Sequence, residues 1–207
     1  MNKCKLIILL LFLLFIAQSS YAQVNEIWKE QLSKDGNTRV KSKVYSVELK
    51  KFIEYEASTV VKADFEACTQ VIKNIENHKI IINEQESKLL DSISANELLI
   101  YYYFNPFWPF KDSDCVAKMT YHINHAEGTA IFYIKARPEA HPLYKIKRLT
   151  DYDMSFTLTK ISNDKIKLCT KAKISPAIQV PRFMLKAFFP KGPTDILQRI
   201  VKLSEKG

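Results

Sequence analysis

Glycine is scarce in this chain: Gly36, Gly128, Gly192 and the terminal Gly207 are all it has. A phosphate cradle needs several glycines close together so that bare backbone can approach the ligand, and these four are too scattered to build one. The nucleophile-elbow pattern G-x-S-x-G and the zinc pattern H-E-x-x-H are absent as well. Cysteine is equally thin. Cys4, Cys68, Cys115 and Cys169 lie far apart, with no C-x-x-C pair to hold a metal or a redox centre. No arginine-rich stripe occurs, which removes the electrostatic footprint of a nucleic-acid binder. No repeat, low-complexity tract or linker divides the chain.

Long apolar runs are missing too, with one exception. Residues 6–17 are uninterruptedly apolar, preceded by Lys3 and Lys5 and followed by Ser20 and Ala22 at the −3 and −1 positions before Gln23. This three-part pattern is that of a secretory signal peptide. The run falls short of the ~20 apolar residues that span a bilayer; a retained N-terminal anchor is the competing reading. The expected organisation is a signal peptide over 1–22 and a single domain over 23–207, exported to the periplasm or fully secreted. Without the first 22 residues, 29 basic and 22 acidic residues give a net charge of +7. That balance suits a transient contact with an anionic membrane surface, and nucleic acid is not expected as a partner. Three cysteines remain, so a fully paired framework within one chain is excluded. Buried structural thiols are the default, and one disulfide is the alternative.

What the chain has in abundance is aromatic side chains in one place. Seven fall within residues 101–110: Tyr101, Tyr102, Tyr103, Phe104, Phe107, Trp108 and Phe110. The first half is a β-type run. Pro106 and Pro109 then break it, because proline cannot donate to a sheet ladder. A strand thus feeds a stiff aromatic loop, which either plugs its own core or walls a pocket for an apolar ligand.

Patterning elsewhere predicts the remaining elements. Residues 24–34 read as a short helix with Ile27, Trp28 and Leu32 on one side, and 38–48 as a strand. Over 51–61, Ile53, Tyr55, Ala57, Thr59 and Val61 alternate with polar residues. Asp64 is an N-cap for an amphipathic helix over 65–76, and 77–85 is ambiguous. Strands follow at about 87–94, 97–105, 114–124 and 129–137. The clearest alternation lies in 152–160 and 165–174, joined as a hairpin. A proline-led helix over 181–203, kinked or split near 190–193, closes the chain. Strands in runs rather than alternating with helices argue for α+β.

The order of elements and several motifs resemble the START-like, helix-grip lipid-binding domains. The aromatic strand, proline-containing loop and acidic start of the next strand match over 101–116 (YYYFNPFWPFKDSDCV). Ser113 stands where an arginine is usual, and Asp114 is kept. YKIKRL around Lys147 and Arg148 resembles a later strand start, and SPAIQVPRFMLKAF over 175–188 the proline-opened last helix. The resemblance implies a curved antiparallel sheet wrapped around a long C-terminal helix, with an apolar cavity between them. It implies that the helix and a nearby loop form the gate, and that the partner is a lipid or another hydrophobic small molecule. Residue patterning agrees, because the small side chains of Ala57, Thr59, Thr170 and Ala172 on apolar sheet faces leave volume to be filled.

The expected ligand-binding wall is Tyr101, Trp108, Phe110, Phe156, Phe183, Met184, Ala187 and Phe188, with Arg148, Tyr103 and Thr170 as orienting polar groups. No catalytic residue, metal or cofactor is assigned. His122 and His125 are three apart on a strand and face opposite sides. The lysines at 165, 167, 171 and 173 form a solvated sheet face or, alternatively, a docking surface for anionic headgroups. The leading reading is an exported binder or carrier of a lipid-like ligand. An enzyme acting on an apolar substrate would need Asp114, His122 or Tyr103 inside the same cavity, and an interaction module would have a filled core.

Overall fold

The computed structural model describes residues 27–105 and 111–206. The elements run β1 (Lys29–Leu32), β2 (Thr38–Val47), β3 (Lys50–Lys62), α1 (Phe65–Lys73), α2 (His78–Ile81), β4 (Glu86–Ser94), β5 (Glu97–Phe104) and β6 (Ser113–Asn124). They continue with β7 (Thr129–Ala136), β8 (Lys147–Arg148), β9 (Tyr152–Ser162), β10 (Lys165–Ile174), α3 (Arg182–Ala187) and α4 (Lys191–Ser204). Single 3₁₀ turns lie at Ile75–Asn77 and Pro138–Ala140.

Ten strands of the described residues form one sheet, ordered β1-β2-β3-β10-β9-β7-β6-β5-β4, with β8 set beside β6. The order explains how the chain's two ends meet. The last strand, β10, inserts between β3 and β9, with Ala57 opposite Thr170 and Thr170 opposite Phe156. One face of the sheet carries the core. Tyr55, Ala57, Tyr152, Met154, Phe156, Leu158, Ile166, Leu168 and Ala172 are buried there, as period-two alternation demands. The helix α4 packs on that face against β2, β3 and β10, and also meets α1 and α2. Its buried stripe is Ile196, Leu197 and Ile200. At the start of α1, Asp64 accepts the Ala67 amide at 2.7 Å, the expected cap.

Two expectations change. Residues 29–32 are a strand instead of part of a helix, because Lys29–Leu32 pair antiparallel with β2 and backbone pairing outweighs a weak helical pattern. Ile27 and Leu32 stay exposed, so no apolar helical side forms there. The second change is at β8, which runs parallel to β6 in an otherwise antiparallel sheet. The C-terminal helix is split, with α3 and α4 separated at Phe188–Pro190, where the Phe189–Pro190 peptide is cis.

Candidate functional site

A cavity of about 640 Å³ opens between the core face of the sheet and the split helix. Ile53 and Tyr55 of β3, Tyr152 and Met154 of β9 and Ile174 of β10 form its sheet wall. Ile196 of α4 and Phe188 cover it. Pro176, Ala177, Ile178 and Val180, between β10 and α3, make a third side. Ile82, Asn83, Glu84 and Gln85 also line it, as do Phe104, Asn105 and Ser113. The volume lies within the range of small-molecule pockets, roughly 300–1,000 Å³, and the lining is mostly apolar with a few polar groups, as in such sites.

Aromatic packing sets the walls. Tyr152 lies 5.9 Å from Tyr102 and 6.4 Å from Phe104, ring centre to ring centre. Phe188 and Phe189 meet edge to face at 5.2 Å, and both rings rest on Tyr55. Gly192 permits the close seat of Phe188: a Cβ there would lie 2.0 Å from the Phe188 ring. Beneath Tyr102, the fully buried His78 completes the support. Its Nδ1 accepts the Tyr102 hydroxyl at 2.6 Å, and its Nε2–H donates to the Ile72 carbonyl at 2.7 Å. Burial holds the imidazole well below its ordinary pKa, at about 4, so it is neutral near pH 7.

Among the described residues, Glu84 is the one acidic side chain in the lining. Burial raises its carboxyl far above the usual carboxylate range, to about 8, and the Arg199 guanidinium opposes that shift only in part.

Of the expected wall residues, Phe188 lines the cavity. Phe183 and Ala187 face outward and Met184 is half-buried, while Leu185 and Phe189, four apart, are the buried pair of this segment. The aromatic strand has the opposite parity from that expected. Ile100 and Tyr102 join the core and Phe104 packs against it, whereas Tyr101 sits edge-on to Tyr144 at 5.8 Å. Tyr103 donates its hydroxyl to Asp112 at 2.5 Å and does not line the cavity. Phe156 and Thr170 are buried further along the sheet and are not part of the lining either. Trp108 and Phe110 lie outside the described residues.

Arg148 does not line this cavity. Its Nε and one terminal nitrogen hold the two Asp114 oxygens at 2.9 and 2.7 Å. Its remaining N–H groups donate to the Pro138, His141 and Pro142 carbonyls. A guanidinium has five N–H donors, and all five are engaged. Asp114, Tyr103 and the exposed His122, the residues that an enzymatic reading needs in the cavity, do not line it. Cys68, Cys115 and Cys169 are free thiols.

Sequence patterning identified the sheet faces but not which rungs border a void. Ile53, Tyr152, Met154 and Ile174 carried the alternation signal without any sign that a cavity begins beside them. Glu84 falls in the stretch that patterning left ambiguous.

No protein-family model matches the chain, and no curated protein matches it in sequence. Solved structures do match. A STAR-related lipid transfer protein from Xanthomonas axonopodis superposes with a TM-score of 0.70 at 19% identity, covering 86% of this chain and 98% of that one. Human STARD10 gives a TM-score of 0.71 at 15% identity, over 93% of this chain and 78% of that one. Human StAR-related lipid transfer protein 5 gives 0.69 at 14% identity, over 93% and 92% of the two chains. The open antiparallel sheet, the helix gripped on its core face and these superpositions together establish that the chain has the START-like, helix-grip α+β fold.

Proposed function

We propose that this protein is an exported, non-enzymatic binder or carrier of a lipid-like ligand, held in the cavity between the sheet and α4. The observation that carries the proposal is that cavity of about 640 Å³ with an apolar lining. Apolar surface is stabilised on leaving water by ~25 cal/mol per Å², so a ligand burying a few hundred Å² gains several kcal/mol there. The structural neighbours named as lipid transfer proteins support the same reading. The expected signal peptide supports export; those residues lie outside the described part of the chain.

The 176–180 segment is the proposed gate. Pro176, Ala177, Ile178 and Val180 line the large cavity on one side. On the other they border an outer hollow of about 200 Å³ rimmed by Leu49, Lys50, Lys51 and Lys147. Leu49 and Phe183 are exposed nearby, at 89% and 72%. Apolar tips beside lysines suit a brief contact with an anionic bilayer during exchange.

Native mass spectrometry of the protein purified from its host, followed by titration with a fluorescent fatty ligand, tests the reading. Co-purifying or titratable lipid is the expected result. A clean apo mass together with no uptake would overturn it.

A further inference from the structure

The outer side of the sheet, opposite the core, is exposed along β10. Lys167, Lys171 and Lys173 point outward there, while Leu168, Thr170 and Ala172 between them are buried. Two hollows of about 330 Å³ lie on this side. Glu56 and Lys171 line both, so the two form one groove across β2, β3, β10, β9 and β7. Among the described residues, its cations are Arg39, Lys41, Lys135, Lys167, Lys171 and Lys173, against the carboxylates of Glu54, Glu56 and Asp153. Two exposed aromatic side chains, Trp28 and Tyr133, border it.

The carboxylates are already answered. Lys43 holds Glu54 at 2.9 Å and Lys171 holds Glu56 at 2.7 Å. Asp153 stands in register between Lys173 and Lys135. Arg39 and Lys41 share Glu30, at 3.1 and 3.6 Å. Lys135 and Lys167 have no ion pair among the described residues. The groove thus keeps a surplus of positive charge, and the ligand that complements it is acidic.

Same-face residues of a strand stand roughly 7 Å apart, so Lys171 and Lys173 match the spacing of alternate side chains on another extended chain. Tryptophan, tyrosine and arginine are also the residue types that anchor protein interfaces, and the groove has all three. A planar bilayer does not fill a recess of this kind. Leu49 and Phe183, apolar tips that suit a bilayer, project near the 176–180 segment instead.

We propose that this outer groove docks an acidic segment of a partner protein in extended form. Its carboxylates lie over Lys167, Lys171 and Lys173, and an apolar side chain packs against Trp28 and Tyr133. Alternation along β10 puts Lys173 on one side and Ile174, a wall of the cavity, on the other, so the occupant leaves the cavity open. The proposal does not depend on what the cavity holds.

The test is fluorescence anisotropy with two labelled short peptides, one alternating glutamate with leucine and the other lysine with leucine. Wild type is expected to bind the glutamate peptide alone, and more weakly as salt rises toward ~1 M, where screening acts within about 3 Å. Lys135→Glu/Lys167→Glu reverses two cations that have no ion pair to lose, and should weaken that peptide at least about tenfold. Tyr133→Ala should weaken it several-fold, a loss that persists at high salt because the contact is apolar. Lys79→Glu/Lys202→Glu makes the same change of net charge on α2 and α4, on the core side, and should stay within about twofold of wild type. Urea unfolding of every variant should match wild type, since the substituted side chains are exposed. Equal weakening by the two double variants would make the attraction one of net charge and overturn the groove. Absence of salt-sensitive peptide binding by wild type overturns the protein partner; binding to phosphatidylglycerol vesicles that is lost in Lys135→Glu/Lys167→Glu would then make the face a bilayer contact.

Discussion

Arg148 and Asp114 lock β8 to β6. The bidentate pair joins side chains that are 3% and 1% exposed, and it sits where two residues of parallel strand, Lys147–Arg148, lie against the start of β6. Three carbonyls of the preceding loop take the rest of the guanidinium. The pair is therefore a clamp that fixes the 138–148 segment to the sheet.

Asp114→Ala should destabilise the fold by about 3–5 kcal/mol, because it strands a buried guanidinium charge. Arg148→Lys should recover little, since an ammonium cannot reproduce the planar five-donor fork. Urea unfolding reads both. Ligand affinity of the remaining folded protein should be unchanged. A selective loss of affinity with normal stability would return Arg148 to the ligand site.

Filling the cavity should abolish uptake while sparing the fold. Ala177 is half-buried on the 176–180 wall, so Ala177→Phe places a ring into space that is already open. Affinity for a bound alkyl probe should fall at least about tenfold. The unfolding free energy should move by no more than about 1 kcal/mol, as expected for a change that neither voids nor overpacks the core. Thr170→Val, outside the lining, should leave uptake unaffected.

Much of this fold was legible before any coordinates. The alternation in β3, β9 and β10 named the core face correctly, because a strand with one wet face must alternate. The break in the C-terminal helix was written in Pro190, Gly192 and Pro193. The aromatic strand was harder. Tyr101, Tyr102, Tyr103 and Phe104 are all large and apolar enough for either face, so the sequence carries no parity there. Tertiary packing decided it, with Tyr102 inward on His78 and Tyr101 outward on Tyr144. In 183–188, where Phe188 lines the cavity and Phe183, Met184 and Ala187 do not, the reason is similar. In so short a helix the break at Phe188–Pro190 sets the rotation, and it turns Leu185 and Phe189 inward. Glu84 and His78 gave no signal because each owes its character to burial produced by distant strands.

Those two groups make opposite contributions to stability as pH changes. His78 titrates at about 4 in the native protein against 6.5 ordinarily, because burial disfavours its charge. Between those values the unfolded chain binds a proton that the native one refuses. Its contribution is therefore full above pH 6.5 and falls as pH drops toward 4, by on the order of 3 kcal/mol in all. Glu84 runs the other way. Its native carboxyl keeps its proton up to about pH 8 against 4.5 ordinarily, so its contribution is full below pH 4.5 and falls as pH rises toward 8. Arg199 from α4 faces it, and the Tyr102 and Tyr152 hydroxyls of β5 and β9 are electrostatically coupled to it. Thermal unfolding across pH should show Glu84→Gln flattening the decline between pH 6.5 and 8, the window where His78 no longer contributes. An unchanged profile in that variant would refute the assignment.

The proposed gate has a latch. Lys51 donates to the Val180 carbonyl at 3.0 Å and so ties β3 to the 176–180 wall. Lys51→Met keeps the alkyl stem and removes the donor. Stopped-flow uptake and release of a fluorescent fatty ligand should both accelerate several-fold, with little change in equilibrium affinity. Rates equal to wild type would place the entry route elsewhere.

Gly192 is not part of the cavity lining, yet it decides where Phe188 lies. An aromatic ring lies against bare main chain, with no room for even one methyl group between them. The capacity of the chamber is thus governed from behind its own lining. Any residue larger than glycine at that point would shove the ring aside and redraw the interior, so a change outside the lining alters the shape of the hollow itself.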